Sequence, residues 1–357
     1  MLIGLCGGKH RICAGKSSIA EYLVDEHNFT RIHLARTAAT PELETSASST
    51  HVPSPEPNPP DNDHSQQQHI FPNVDALVDF VTLRWRDRWV TTDIWDDKTV
   101  DLLLRRPFFL LISVDAPLTL RFHRLKAKHT HQHLPAPSLE TFVTSNDTHL
   151  FAPGTGRGAL FQRAHLKLVN STPDLPSLRN ALRALDLTHE ARLRPSWDQY
   201  FMQLADLAAH RSNCMKRRVG CCIVREKRVI STGYNGTPRG MPNSIQGGCP
   251  RCNTATPGPH TLSTCLCLHA EENALLEAGR DRIAANAILY CNTCPCLTCS
   301  VKIVQVGIGE VVYHHGYSVD EQTAQVLAQG GVRLRQFTPP AGGVVDLAFV
   351  GEGGVGG

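Results

Sequence analysis

The chain has 357 residues, 41% hydrophobic and 19% charged, with a formal net charge of +3 and thirteen cysteines. That length allows two domains with a core each, while the weak basic balance gives no reason to expect a nucleic-acid partner. The apolar start, Met1 to Gly8, is too short and lacks the basic residues of a secretory signal, no apolar run approaches the roughly 20 residues that span a bilayer, and most cysteines fall between Cys214 and Cys299 at metal-ligand spacings, so the expected compartment is reducing, cytoplasmic or nuclear.

In chain order, Met1-Leu2-Ile3-Gly4-Leu5-Cys6 reads as a strand that runs into a glycine-rich turn. Gly15-Lys16-Ser17 and a helix from Ile19 to Val24 follow, which is the order strand, phosphate loop, helix. A strict phosphate loop needs glycine at position 10, where His10 stands. Setting Lys9-His10-Arg11 aside as an insertion restores the spacing from Gly7 to Ser17. Residues 37–69, rich in Ser, Pro, Asp and Gln, are expected to be a disordered insertion. A helix is expected from Val74 to Arg84, a buried strand from Phe108 to Val114, and a helix from Ala116 to Lys128. The histidine-rich stretch Lys128 to His133 is expected to be a mobile loop. A strand and helix between Phe161 and Leu187 close a first domain, 1–187. This alternation resembles small P-loop kinases of nucleosides or nucleotides, in which Asp93 would be a candidate catalytic carboxylate.

Residues 188–195 are expected to be a linker, 196–337 a second domain, and 338–357 a disordered tail. In the second domain the pattern predicts a helix from Ser196 to Arg211, strands Gly220 to Arg225 and Arg228 to Tyr234, and a helix from His269 to Ala278. Strand Ala287 to Tyr290 then leads to a helix from Cys296 to Val306. Strand Glu310 to Tyr313, a helix from Asp320 to Gln329 and strand Val332 to Gln336 complete it. The fold class is α/β: an α/β/α layered, mixed five-stranded sheet preceded by the P-loop kinase-like α/β domain.

The chemistry concentrates in His269-Ala270-Glu271 and Pro295-Cys296-Leu297-Thr298-Cys299. His269, Cys296 and Cys299 form a Cys2His set, and three protein ligands with an open fourth position is the catalytic form of zinc coordination, where bound water can reach a pKa near 7. Glu271 stands close enough to that water to shuttle protons without ligating. The joint spacing is the signature of zinc nucleobase deaminases. An isolated CxxC would more often be a structural clip.

At these residues the chain resembles the cytidine and deoxycytidylate deaminase superfamily, in the fungal form of its dCMP deaminase branch. Ser196-Trp197-Asp198-Gln199-Tyr200-Phe201-Met202, Cys214-Met215-Lys216-Arg217-Arg218-Val219-Gly220, Gly233-Tyr234-Asn235-Gly236-Thr237-Pro238 and His269-Ala270-Glu271-Glu272-Asn273-Ala274 carry the likeness. It implies hydrolytic deamination of dCMP to dUMP for thymidylate synthesis, by a homo-oligomer, usually a hexamer. It also implies activation by dCTP and inhibition by dTTP, with Mg2+ as a companion of the triphosphate effector. By the same resemblance Asn235 would contact the sugar hydroxyl, and Gly233, Tyr234 and Gly236 would belong to the effector-sensing region.

Read from the residues alone, that turn is an ordinary tight turn or a close approach to a ligand. Tyr317 could stack on a pyrimidine, and Arg218 and Arg239 could hold a phosphate or be solvated charges. Cys249 and Cys252 form half of a possible structural zinc site, completed from Cys265, Cys267 or His260. Competing readings are a deaminase of another base such as tRNA adenosine, a bifunctional kinase and deaminase, and a nucleotide-binding regulator with an inert second domain.

Overall fold

A computed structural model describes residues 1–7, 13–35, 69–154, 156–253, 265–316, 321–340 and 343–350. The chain separates into two units, Met1–Arg194 with Ala341–Gly357, and Pro195–Pro340.

The first unit contains β1 (Leu2–Cys6), α1 (Lys16–His27), β2 (Thr30–Leu34), β3 (His69–Phe71), α2 (Val74–Leu83), β4 (Trp89–Thr91) and α3 (Asp97–Leu104). It continues with β5 (Phe109–Asp115), α4 (Leu118–His131), α5 (Leu139–Phe151), α6 (Gly158–Gln162), β6 (Leu166–Val169) and α7 (Leu175–Leu185). β1 and β5 are continuous apolar runs because both of their faces are covered, as parallel strands flanked by helices require. Helices start where the sequence offers a cap. The side chain of Asn73 accepts a hydrogen bond from the N–H of Ala76 ahead of α2, and that of Asp174 accepts one from the N–H of Ser177 ahead of α7.

The second unit contains α8 (Trp197–Ala209), β7 (Gly220–Arg225), β8 (Arg228–Tyr234), α9 (Pro250–Asn253), α10 (Ala270–Ala278) and α11 (Arg280–Ile283). Then come β9 (Ala287–Thr293), α12 (Leu297–Val306), β10 (Ile308–His315), α13 (Glu321–Gln329) and β11 (Arg333–Gln336). A last strand, β12 (Gly343–Asp346), belongs to the first unit. The first sheet has the order β12-β6-β5-β1-β4-β2-β3, with every pairing parallel. The second has the order β11-β10-β9-β7-β8, with β7 antiparallel to both neighbours and the rest parallel. The mixed five-stranded sheet expected from the pattern is therefore present.

Alternation builds two cores on that sheet. Cys221 and Ile223 of β7 face α10, α12 and α13 with Ala274, Ile303 and Leu327, while Cys222 and Val224 face Phe201, Met202 and Ala205 of α8. Gly233 lets β8 lie against α10. A Cβ there would stand 2.1 Å from the carbonyl oxygen of Ala270.

Four expectations need correction. The tail expected from 338 is not simply disordered: Val344 and Val345 pair with Lys167 and Leu168 of β6, and Leu347 is buried in the first core. Residues 188–194 are no free linker, because Leu187 is buried, Leu193 packs on that core, and Arg192 donates to the carbonyls of Asp186 and Leu185. The histidine-rich stretch stays helical to His131, where Lys128, His129 and His131 meet the negative end of the α4 dipole. His69 starts β3, and the rest of the expected insertion, 37–68, lies outside the described residues. Among the described residues no helix is long and apolar enough to cross a membrane.

An ion-pair network ties α8 to the sheet edge. Arg335 donates to both oxygens of Asp198, at 2.7 and 3.0 Å, and to Glu310 at 2.9 Å, while the Tyr290 hydroxyl donates to Asp198 at 2.8 Å. Burial opposes the charged form of Asp198, but these donors outweigh it and hold its carboxyl below the usual range. Because the folded value lies below the unfolded one of about 3.9, this stabilisation is complete above about pH 4 and is lost as pH falls through the folded value. Asp198→Asn should therefore lower Tm at neutral pH and shrink the drop in Tm between neutral pH and about pH 3. Thermal denaturation at both pH values checks this. An unchanged Tm at neutral pH would mean that the network contributes nothing.

Candidate metal centre and cavity

Two helix N-termini carry the metal-ligand set. His269 is the N-cap of α10 and Cys296 the N-cap of α12, with Cys299 in the first turn of the latter. Leu268 pairs with Gly236 just past β8, and Cys294 donates its N–H to the carbonyl of His315, so both caps are held at strand ends. The Glu272 carboxylate accepts from the His269 N–H at 2.9 Å and forms an ion pair with Lys302 of α12, which joins the two helices. Ser300 donates both its N–H and its hydroxyl to the Cys296 carbonyl.

His269 Nδ1 lies 3.4 Å from Cys296 Sγ and 3.4 Å from Cys299 Sγ. A tetrahedral zinc ion with ordinary Zn–S and Zn–N bonds needs S···N edges of about 3.5 Å, so the three atoms fit that ion. The Cys299 side chain, His269 and the Cys299 N–H pull the Cys296 thiol down to about 3, while the Cys296 sulfur and burial push Cys299 up. The nearby Cys296 sulfur holds His269 above its ordinary value.

Glu271, on the first turn of α10, is only 4% exposed and lines the cavity beside His269 and Cys296. Burial pushes its carboxyl up, against the opposing effect of a backbone N–H and the His269 charge. The cavity holds about 300 Å³, and Lys216, Arg217, Asn235, Arg251 and Thr293 also line it. Neither Arg218 nor Arg239 is among the lining residues. The usable cations are Lys216, Arg217 and Arg251, which sequence reasoning missed because a loop's side-chain direction has no period. Two of them follow Cys214 and the third lies between Cys249 and Cys252, a proximity to cysteines that could have marked them.

Asn235 lines the cavity and is largely buried. Its Oδ1 accepts from the Ser212 hydroxyl and the Val219 N–H, and its Nδ2 donates to the Arg217 carbonyl. One N–H of the amide is left for a ligand. Gly233, Tyr234 and Gly236 are not among the lining residues. Gly233 is explained by packing on α10, and Gly236 by Asn213, whose Oδ1 would stand 2.4 Å from a Cβ. Tyr317 and His260 lie outside the described residues.

A second cysteine group, Cys249, Cys252, Cys265 and Cys267, brings its four sulfurs within 4.8 Å of one another. Separations of 3.8 Å (Cys249 to Cys265), 3.5 Å (Cys252 to Cys265) and 3.8 Å (Cys252 to Cys267) sit near the S···S edge of about 3.8 Å in a tetrahedral zinc–thiolate site. Cys214 Sγ joins them 3.7 Å from Cys252 Sγ. All thirteen cysteines are free of disulfides.

In the first unit Gly15 has φ 100°, and its missing Cβ leaves room for Asn170 Nδ2, which would otherwise be 2.3 Å away. Lys16 Nζ donates to the Thr92 carbonyl at 2.9 Å, and Ser17 offers its carbonyl to Arg31. Asp93 is 3.0 Å from His33 Nδ1 and accepts from the Leu34 N–H. Lys9-His10-Arg11, the expected insertion, lies outside the described residues.

The model of the cytidine and deoxycytidylate deaminase zinc-binding region matches residues 195–315. The chain is 47% identical over 341 residues to a deoxycytidylate deaminase of Schizosaccharomyces pombe, covering 95% of this chain and 98% of the relative. It is 47% identical over 291 residues to one of Saccharomyces cerevisiae, covering 78% of this chain and 90% of the relative. The solved structure of a dCMP deaminase from the cyanophage S-TIM5 in complex with dCMP and dUMP is 27% identical, covering 40% of this chain and 98% of that one, with a TM-score of 0.32.

His269→Ala and Cys299→Ala should each lower the zinc content of the purified chain by about one equivalent, since each leaves only two protein ligands. Mass spectrometry of metal content checks this. An unchanged content in both variants would exclude this ligand set.

Proposed function

The chain belongs to the cytidine and deoxycytidylate deaminase family, and we propose the residue roles below for its reaction. It is a hydrolase that deaminates dCMP to dUMP and ammonia with bound zinc. The observation that carries the residue assignment is a buried carboxylate, Glu271, beside a three-ligand set that opens on a cavity. His269, Cys296 and Cys299 hold the zinc. When bound, it supplies Lewis acidity to the attacking water. Glu271 takes a proton from that water, gives it to N3 of the pyrimidine, and then helps the amino group leave as ammonia. The remaining N–H of Asn235 donates to the sugar hydroxyl.

Finer features belong to the same proposal. The four sulfurs of Cys249, Cys252, Cys265 and Cys267 hold a second, structural zinc, which their spacing supports. The enzyme is a homo-oligomer, a hexamer, that feeds thymidylate synthesis in the cytoplasm or nucleus. dCTP with Mg2+ activates it and dTTP inhibits it, through the turn of Gly233, Tyr234 and Gly236. The first unit is a P-loop kinase-like domain, expected over 1–187 and extended in the structure to Arg194 and by the C-terminal strand β12, with Gly15, Lys16 and Ser17 in its phosphate loop. A parallel sheet with β1 at its centre, followed by Gly15 and α1, supports that reading. Its role is structural or regulatory. ATP-dependent phosphoryl transfer to a nucleoside monophosphate, lost in Lys16→Ala, would overturn that role.

Glu271→Ala should lower kcat for ammonia release from dCMP by about 10²- to 10⁴-fold while zinc content stays unchanged. A variant that keeps more than a few per cent of parent activity would remove Glu271 from proton transfer. The same assay with dCTP and dTTP added tests the effector assignment: no response to either nucleotide would contradict it.

A further inference from the structure

A nucleotide substrate carries a dianion at the end away from its base, and the cavity beside His269 is charged to receive one. Its lining includes one carboxylate, Glu271, and three cations, Lys216, Arg217 and Arg251. Glu271 stands with the metal ligands. The cations come from two other segments: the loop that joins α8 to β7, and the short helix α9. Among the described residues, neither Lys216 nor Arg251 has an ion-pair partner.

The two cationic segments share one anchor. Arg251 lies between Cys249 and Cys252, whose backbones are joined by the Cys252 N–H to the Cys249 carbonyl at 3.0 Å. Asn253 Nδ2 fixes the end of α9 to the Ser244 carbonyl at 2.6 Å. Cys214, just ahead of Lys216 and Arg217, meets Cys252 sulfur to sulfur. Cys267, two residues before the ligand His269, also meets Cys252, at 3.8 Å. The cysteine cluster therefore ties the cation-bearing segments to the segment that carries the metal ligand.

We propose that Arg251, assisted by Lys216 and Arg217, binds the 5′-phosphate of the substrate and is the residue that selects nucleotide over nucleoside, with the cysteine cluster as the frame that sets its distance from His269. The proposal rests on the reading of this cavity as the dCMP site. A guanidinium presents a fork that matches two phosphate oxygens, and a backbone already held on both sides leaves less freedom to lose on binding. Arg251 is exposed and, among the described residues, its side chain makes no hydrogen bond or ion pair, so its removal takes no such partner from the fold and reports on the ligand.

The test compares kcat/KM for dCMP and for deoxycytidine in the parent chain, Arg251→Ala, Arg251→Lys and the control Arg239→Ala. Arg251→Ala should lower kcat/KM for dCMP by about 10- to 100-fold, mainly through KM, and leave deoxycytidine within about twofold. Arg251→Lys should fall between, and Arg239→Ala should match the parent. Calorimetric binding of dUMP should weaken in parallel in Arg251→Ala, with deoxyuridine unaffected. Equal losses on both substrates, or unchanged dCMP kinetics, would overturn the assignment. A parent chain that does not prefer dCMP to deoxycytidine would overturn it together with the dCMP reading of the cavity.

Discussion

The convergence of two helix N-termini on one small volume is the constraint from which the rest of the second unit follows. α10 delivers His269 as its cap and α12 delivers Cys296 as its cap, with Cys299 one turn along. Free N–H groups at such ends favour anionic sulfur, which is what a metal needs from a cysteine. The Glu272 carboxylate spans the two helices through the His269 N–H and Lys302. Gly233 lets β8 approach α10 closely, so the sheet fixes where α10 begins. A bulkier residue at that position would move the ligand rather than merely loosen the core.

The cavity lining combines a buried carboxylate beside the candidate metal ligands, where exclusion of water strengthens charge interactions, with three cations. Asn235 holds the loop of Lys216 and Arg217 through the Val219 N–H and the Arg217 carbonyl while lining the cavity itself. One buried amide thus shapes the loop and keeps a donor for a ligand. The cysteines divide in the same way. Cys221 and Cys222 are core residues of β7, Cys296 and Cys299 belong with His269 to the candidate metal set, and those from Cys249 to Cys267 form a separate group.

Elements with strong periodicity were readable from the residues alone. β7 and β8 occupy the expected ranges, and α10 and α12 begin one residue after the expected starts, with His269 and Cys296 as their caps. Cys296 and Cys299 stand together because three residues separate them, whereas the fold brings the distant His269 to within 3.4 Å of both sulfurs, as the expected ligand set requires. What was not readable depended on contacts between distant residues. β12 is a short, glycine-flanked edge strand whose pairing with β6 is more than 170 residues away, so local composition resembled a disordered tail. The choice of Arg217 over Arg218 rests on the direction of a loop side chain, and the meeting of Cys214 with Cys252 on the path of the chain between them. Single-residue pattern rules carry no information on either.

Anomalous scattering measured at the zinc edge from crystals of the intact chain tests the central claim most directly. The account predicts a peak bonded to His269 Nδ1, Cys296 Sγ and Cys299 Sγ, with a fourth position filled by a non-protein ligand facing Glu271. A fourth side chain on that ion, or no peak between these three atoms in zinc-replete protein, would contradict it.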